Sequence, residues 1–306
     1  MKVSVAITTY NGEKYIIEQL TSVLNQTRPV DEVIIADDCS LDDTPKIVRS
    51  FIAENHLSAS WHFYINDYNL GYANNFKQLI YSCKGDVVFF CDQDDVWVED
   101  RVEKMMKVME SNGDISVLYT KECRFTEDEN SVKHYEAVKC TNSLKKINFT
   151  PHTRYLRTEG CTMCVRKTFL EEIKSEWYNG WAHDEAVWSF AVLKDALYYY
   201  DYISVLYRRH GGNVSGNKQH GKEKRIQYLR TVLSSSEQMV GFAKKKSLAE
   251  YKIRTCKKTL NMARYRLRFM ESKNIFLLIP LAFYIKYYYS WKSYFTEIFI
   301  TFKGKQ

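Results

Sequence analysis

The chain lacks any run that is apolar for long enough to cross a bilayer. Ile275 to Ile285 is such a run in miniature, but it is interrupted by Pro280 and closed by Lys286, well short of the ~20 residues a spanning helix needs. A secretory h-region is missing too, because the N-terminus Met1-Lys-Val-Ser-Val-Ala-Ile-Thr8 turns polar at once, and a reducing compartment is therefore expected. In that setting the eight cysteines read as packing thiols. Cys161-x-x-Cys164 stands alone, without the second pair or the histidines that zinc sites use. There is no low-complexity tract, no nucleic-acid-binding signature, and no early glycine-rich phosphate loop of the kind a nucleotidyltransferase carries.

Charge is abundant but divided. The net charge is +7 over 306 residues, yet Met1 to Leu206 holds 22 basic against 32 acidic residues, and Tyr207 to Gln306 holds 22 against 5. Two physically different regions are joined. An acidic first part suits a site that gathers a divalent cation; a basic last part suits phosphate groups of a substrate or of anionic lipid. At 45% hydrophobic residues the chain can bury a core, and its length points to one large α/β unit with a smaller appendage.

Strand and helix signals alternate along the first part. Val3 to Thr8 is a β-branched run, followed by the turn Tyr10-Asn11-Gly12 and a helical pattern through Ile16, Ile17, Leu20, Val23 and Leu24. Val33 to Ala36 ends in Asp37-Asp38, and a helix opens near Asp43 and Pro45. A strand at Trp61 to Ile65 and a helix at Tyr72 to Ser82 precede Val87-Val-Phe-Phe-Cys91, which reads as a strand buried on both faces. Alternation of this kind predicts a mostly parallel, Rossmann-like sheet, with ligands beyond the carboxyl ends of its strands. A polar cluster stands at each such end: Thr8 to Asn11, Asp37-Asp38, Asn66-Asp67 and Asp92 to Asp95. From Val117 to Asn148 an excursion or hairpin is expected, and a second hairpin-like stretch from Ala196 to Tyr207. A basic helical region follows from about Glu223 to Ser272.

Asp92-x-Asp94, with Asp95 beside it, is the sharpest feature. Carboxylates crowded at the end of a buried strand repel one another, and a hard divalent cation is the usual compensation. Mg²⁺ or Mn²⁺ held by one or two carboxylates completes its shell with water and substrate phosphates, which places a diphosphate here. The plain alternative is that these residues cap the helix opening near Glu99. Arg208, Arg209 and His210 precede a run with three glycines ending at Gly216. The two arginines are candidates for neutralising a diphosphate, with His210 a metal ligand or phosphate donor, and the loop is a candidate lid. Gly180 suggests an exposed turn for Trp181, a candidate platform for an acceptor sugar.

Val5-Ala-Ile-Thr-Thr-Tyr-Asn-Gly12, Ser22 to Thr27, Ile35-Ala-Asp-Asp-Cys-Ser40, Asn69-Leu-Gly71 and Cys91-Asp-Gln-Asp-Asp-Val-Trp97 together resemble the family-2 glycosyltransferases of GT-A fold, in family order. His183-Asp-Glu185 and Tyr207 to Gly216 resemble the branch that builds bacterial surface polysaccharides, including rhamnosyltransferases. The resemblance implies a GT-A catalytic domain over 1–216; it does not reach the basic, aromatic-rich helical region over 217–306, which is read from composition. It further implies that Thr8 and Tyr10 line the nucleoside pocket and that Asp38 bonds the base. Asp92 would lie near the ribose or the metal shell, and Asp94 would be the main metal ligand. Asp184, with Glu185 as its neighbouring rival, would be the base that takes the acceptor's proton. Direct displacement by the acceptor would invert the anomeric carbon.

The donor implied is a UDP- or dTDP-linked sugar, and the acceptor a saccharide or lipid-linked saccharide. The basic, aromatic C-terminal region suits an anionic membrane surface, with packing on a second copy as the alternative. Peripheral attachment at the cytoplasmic face of the plasma membrane is the expected location. Two further readings stay open: a nucleotide-sugar-binding module without catalysis, and a nucleic-acid-binding protein that uses its basic tail.

Overall fold

The computed structural model describes residues 1–128, 131–156, 158–211 and 221–303. Chain contacts divide it into two units: Met1–Ile147 with Thr158–Ala191 and Ala196–Asn213, and Asn148–Arg157 with Val192–Asp195 and Val214–Gln306.

The first unit opens with β1 (Val3–Thr9), α1 (Ile16–Leu24), β2 (Glu32–Asp37), α2 (Thr44–Glu54), β3 (Trp61–Ile65), α3 (Tyr72–Ser82) and β4 (Val87–Cys91). β5 (Val96–Trp97), α4 (Arg101–Ser111), β6 (Val117–Glu127), β7 (Lys133–Tyr135), β8 (Leu144–Lys146), β9 (Met163–Arg166), α5 (Lys167–Ile173), α6 (His183–Leu193) and β10 (Leu197–Arg208) follow. The strands join one sheet in the order β3-β2-β1-β4-β9-β6-β10-β5, with β7 on β6 and β8 on β10. β9 is antiparallel to both β4 and β6, so β6 and its parallel neighbour β10 run the same way as β1 to β4. The carboxyl ends of β1, β2, β4 and β10 therefore reach one edge.

Residue spacing explains the layers. β4 is buried at every position, as a strand covered on both faces must be. α1 buries Ile16, Gln19, Leu20 and Val23, and α4 buries Val102, Met105, Met106 and Met109, a single apolar stripe at helical period. The excursion after Val117 does contain a hairpin, formed by β6 and β7. The hairpin expected at Ala196 to Tyr207 is instead one continuous strand, β10. Its pairing with β6 slips between Tyr199 and Val205, and such bulges break the alternation that marks a straight strand in sequence.

The second unit is built on α7 (Lys222–Lys245) and α8 (Glu250–Ser272). These two run antiparallel, since Arg264 bonds Glu237 at 2.9 Å and Arg230 bonds Glu271 at 3.0 Å. The apolar run from Ile275 becomes short helical pieces, among them α9 (Leu278–Ala282), before α10 (Trp291–Phe302). Glu297 of α10 is buried against Arg266 of α8, with two bonds of 2.7 and 2.8 Å, and Arg225 of α7 adds a third at 3.1 Å. The Arg266 guanidinium lies over the Tyr288 ring at 4.5 Å. A pocket lined by Lys224, Arg225, Tyr228, Ser293 and Thr296 also belongs to this unit and holds none of the site residues.

A buried pair tolerates the loss of one member poorly, because the other charge is left uncompensated. Arg266→Leu is expected to lower unfolding stability by about 3–5 kcal/mol, and Arg266→Leu with Glu297→Leu by less. Urea midpoints for the two variants check this; a single variant as stable as the parent contradicts it.

Candidate active site

The site grows from the parallel pairing of β1 with β2 and β4. Thr9 is level with Asp37 and Ile7 with Cys91, so the residues just beyond them, Tyr10, Asp38 and Asp92, leave the sheet side by side. Asp37 is fully buried and accepts from Thr9 Oγ1 at 2.7 Å and from Ser40 N and Oγ at 2.8 and 2.6 Å, which makes it a brace for the turn. Asp38 is also enclosed, at 4% exposure. Its Oδ1 accepts from Asn66 Nδ2 and Leu70 N, and its Oδ2 from Gly71 N. The carboxylate thus shapes the loop before α3, a task that sequence reasoning did not assign to it. Thr8 is half-buried and Tyr10 exposed.

Gln93, a member of the polar cluster to which the sequence assigns no role, ties the two loops together. Its Oε1 accepts from Tyr10 N at 2.8 Å and its Nε2 donates to Tyr10 O at 3.0 Å, the pattern of a short strand pairing. Gly12 leaves space for this pairing, since a Cβ there would lie 2.3 Å from Gln93 Oε1 and displace the amide.

The carboxylates after β4 take three different environments. Asp95 is buried; its Oδ1 accepts from Arg208 N at 3.0 Å, its Oδ2 meets no nitrogen or oxygen donor, and the Cys161 thiol lies against the carboxyl as a weak donor. Burial, and then the charge of Asp94, push its carboxyl up to about 7. Asp92 is raised well above the ordinary carboxylate range by burial, then by Asp95, Asp94, Asp184 and Glu159. Asp94 turns its Oδ2 to His210 Nε2 at 2.7 Å, and the His210 ring packs on Tyr15 at 4.7 Å.

Asp92, Asp95 and Cys161 bring their ligand atoms within 4.8 Å of one another. The bare Asp95 Oδ2 fits a hard divalent cation, which prefers oxygen. The Cys161 thiol is pushed far up by burial and the neighbouring aspartates, so it suits such an ion poorly. Cys161 was expected only to pack; it stands beside the acidic cluster instead. Beneath them Arg101 is fully buried, with its guanidinium 4.1 Å from the Trp97 ring and no hydrogen-bond partner. Its charge partly offsets that of Asp95.

Asp184 opens α6, and its Oδ1 accepts from Glu185 N at 2.7 Å. Burial pushes its carboxyl up to about 6, against the two backbone hydrogen bonds that hold it down. His183 anchors this end: it stacks on Phe76 at 3.8 Å and meets Phe90 edge-on. Burial pushes it down to about 3, so it is neutral spacing rather than a proton carrier. Gly160 makes room for it, because a Cβ there would lie 2.2 Å from His183 Nε2. Tyr72 and Glu159 are two residues that sequence reasoning missed; both feel the Asp184 charge. Arg209 lies close enough to Glu159 to stabilise its charged form.

Two expectations are corrected. Arg208 is not presented to a diphosphate: its guanidinium is buried, paired with Glu18 and Glu127, bonded through Nε to Asp94 O at 2.8 Å, and held between the Tyr15 and Phe125 rings. Two carboxylates already neutralise it, and it braces the acidic turn. Trp181 is not an exposed platform. Gly180 does turn the chain at φ 87°, but the ring folds inward, fully buried, stacked on Tyr178 at 5.1 Å and edge-on to Phe190. Of the expected lid, residues 212–216 lie outside the described residues.

Comparisons with known proteins identify the family and the fold. The family model described as Glycosyl transferase family 2 matches residues 4–173, more than half the chain, and the chain belongs to that family. The putative teichuronic acid biosynthesis glycosyltransferase TuaG of Bacillus subtilis is 35% identical over 107 residues, which span 35% of this chain and only 41% of that protein. The dTDP-rhamnosyl transferase RfbG of Shigella flexneri is 28% identical, over 68% of this chain and 73% of its own. The Escherichia coli UDP-Glc:alpha-D-GlcNAc-diphosphoundecaprenol beta-1,3-glucosyltransferase WfaP is 26% identical, over 71% and 80%. Among solved structures, S. aureus TarS in complex with UDP-GlcNAc superposes with a TM-score of 0.63 at 16% identity, covering 97% of this chain and 82% of that one. The mannosyltransferase PcManGT of Pyrobaculum calidifontis, in complex with GDP-Man and Mn²⁺, gives 0.52 at 15%, covering 98% and 84%. The fold is GT-A.

Asp92 and Asp95 hold protons in the folded state at pH values where an unfolded chain has released them. Raised carboxyl pKa values mean that stability is lost as pH rises from the ordinary carboxylate range through about 7. A divalent cation bound between these carboxylates would replace those protons. The thermal midpoint is therefore expected to fall between pH 5 and 8 without metal, and to be lifted by Mn²⁺ more at pH 8 than at pH 5. Scanning fluorimetry checks this; an equal lift at both pH values contradicts it.

Proposed function

We propose that this chain is an inverting glycosyltransferase that takes a sugar from a UDP- or dTDP-linked donor. The sugar goes to a hydroxyl of a saccharide or lipid-linked saccharide acceptor, as a step in cell-surface polysaccharide synthesis. The observation that carries the reading is the pairing of functions at one sheet edge. An acidic cluster with a bare oxygen stands at Asp92 and Asp95, and a carboxyl tuned to about 6 at Asp184 lies near enough to raise Asp92. The family match, the naming of RfbG as a dTDP-rhamnosyl transferase and of WfaP as acting on a diphosphoundecaprenol-linked sugar, and the UDP-GlcNAc complex of TarS support the donor and acceptor classes.

Residues 1–216 would carry this chemistry. Thr8, Tyr10 and Asp38 would receive the nucleoside, and Arg209 would face the diphosphate. Mn²⁺ or Mg²⁺ held by Asp92 and Asp95, or by Asp94 with His210, would offset the negative charge of the diphosphate. Asp184 takes the proton from the acceptor hydroxyl as that oxygen bonds the anomeric carbon. The bond from that carbon to the diphosphate oxygen breaks with its electron pair, and the nucleoside diphosphate departs. One displacement inverts the anomeric centre. A base titrating near 6 is mostly deprotonated at neutral pH yet remains basic enough to assist. Residues 217–306 would keep the enzyme at the inner face of the plasma membrane, where a lipid-linked acceptor is met.

A panel of nucleotide sugars with Mn²⁺ or Mg²⁺, read by nucleoside diphosphate release, tests the reading. Turnover is expected to rise through about pH 6 and level off. Asp184→Asn should keep donor binding while losing about 10²–10⁴-fold in rate, and Asp94→Ala should lose metal-dependent donor binding. Normal turnover by Asp184→Asn removes the assigned base.

A further inference from the structure

The last helices of the second unit turn an apolar face outward. Among the described residues, 22 large hydrophobic side chains are exposed, and 10 of them fall between Ile275 and Phe302. Phe283 is 80% exposed, Phe276 73% and Phe299 63%. α10 is apolar on two sides. One holds Tyr294 and Ile298, which pack on the unit's core, with buried Glu297 and Thr301 beside them. The other holds Trp291, Phe295, Phe299 and Phe302 at spacings of four, four and three, which align them on one exposed stripe. The Trp291 and Phe295 rings are 6.1 Å apart. An exposed apolar patch of this kind in a folded protein marks an interaction surface.

Charge selects the partner. Between Ile275 and Lys303 the one carboxylate is Glu297, which is buried and paired; Lys286, Lys292 and Lys303 are all exposed. Lys292 Nζ lies over the Trp291 ring and Lys303 Nζ over the Phe299 ring, so the cations rim the stripe. Behind it, the last hundred residues carry 22 basic against 5 acidic side chains. A second copy would bring the same cationic rim against this one. A bilayer with anionic headgroups meets both features, taking the rings among its acyl chains and the lysines at its phosphates. Depth is limited, because no helix among the described residues is long and apolar enough to cross a membrane. α10, with 12 residues, would lie along the interface.

We infer that the face formed by Phe276, Phe283, Trp291, Phe295 and Phe299 inserts into the headgroup region of an anionic lipid bilayer. This rests on the reading of residues 217–306 as the membrane-seeking part of the enzyme and is independent of the transfer chemistry. Flotation of the full chain with phosphatidylcholine vesicles, alone and mixed with phosphatidylglycerol, tests it. The parent is expected to float with the mixed vesicles at low salt and less at high salt. The triple variant Phe283→Ser, Phe295→Ser, Phe299→Ser is expected to bind at least about tenfold more weakly, with an unchanged thermal midpoint. In vesicles of brominated lipid, parent fluorescence should be quenched by a component that Trp291→Phe removes.

A parent chain that stays unbound ends the membrane reading and this surface with it. A parent that floats beside a triple variant that floats equally well leaves the membrane reading standing and overturns the surface. A parent that is dimeric and unbound, made monomeric by the triple variant, assigns the face to a second copy and overturns the proposal.

Discussion

The acidic turn after β4 places more negative charge at the end of a buried strand than a low-dielectric setting tolerates, and much of the catalytic unit is arranged around that fact. Asp95 is enclosed with one oxygen bare, Asp94 is engaged by His210, and Asp92 keeps its proton under the combined fields of its neighbours. Each near element supplies one compensation. Arg208 ends β10 and holds the turn by its backbone and its Nε. Arg101 sits beneath as an unbonded cation against the Trp97 ring. Gln93 binds the turn to the end of β1. What these contacts leave unsatisfied is a carboxylate oxygen, and an unsatisfied buried oxygen is an incentive to bind a cation or keep a proton.

The second unit uses charge in the opposite way. Its central pair, Arg266 and Glu297, removes the one carboxylate of the terminal segment from the surface, and three lysines and a row of aromatic rings remain outside. The same buried contact that fixes α10 on α8 therefore also purifies the sign of the exposed face. The basic, aromatic surface of the second unit and the acidic cluster of the first follow from the uneven distribution of charge along the sequence.

Most of the sheet was legible because buried parallel strands announce themselves: Val33 to Ala36 and Val87 to Cys91 are apolar without interruption, and their polar ends pointed to the edge at which the acidic residues gather. The family resemblance carried the fold and the family, both borne out by the match to residues 4–173 and the likeness to TarS. β10 was misread because bulges break its alternation. Trp181 was misplaced because a glycine turn shows where the backbone bends and says nothing about which way the next ring points. The commitment of Arg208 to Glu18 and Glu127 joins residues 190 and 81 positions apart, and no local pattern encodes such a contact. Gln93 and Gly160 were silent for the same reason: their importance is a short distance to a side chain far along the chain.

Raised carboxyl groups at Asp92 and Asp95 would give up protons to a divalent cation bound between them. Calorimetric titration of Mn²⁺ with UDP into the protein near pH 6.5, in buffers of different ionisation enthalpy, measures that exchange directly. Proton release on binding that diminishes as pH rises through about 7 and is reduced in Asp95→Asn is the predicted result. Binding without proton release, equally strong in Asp95→Asn, would contradict it.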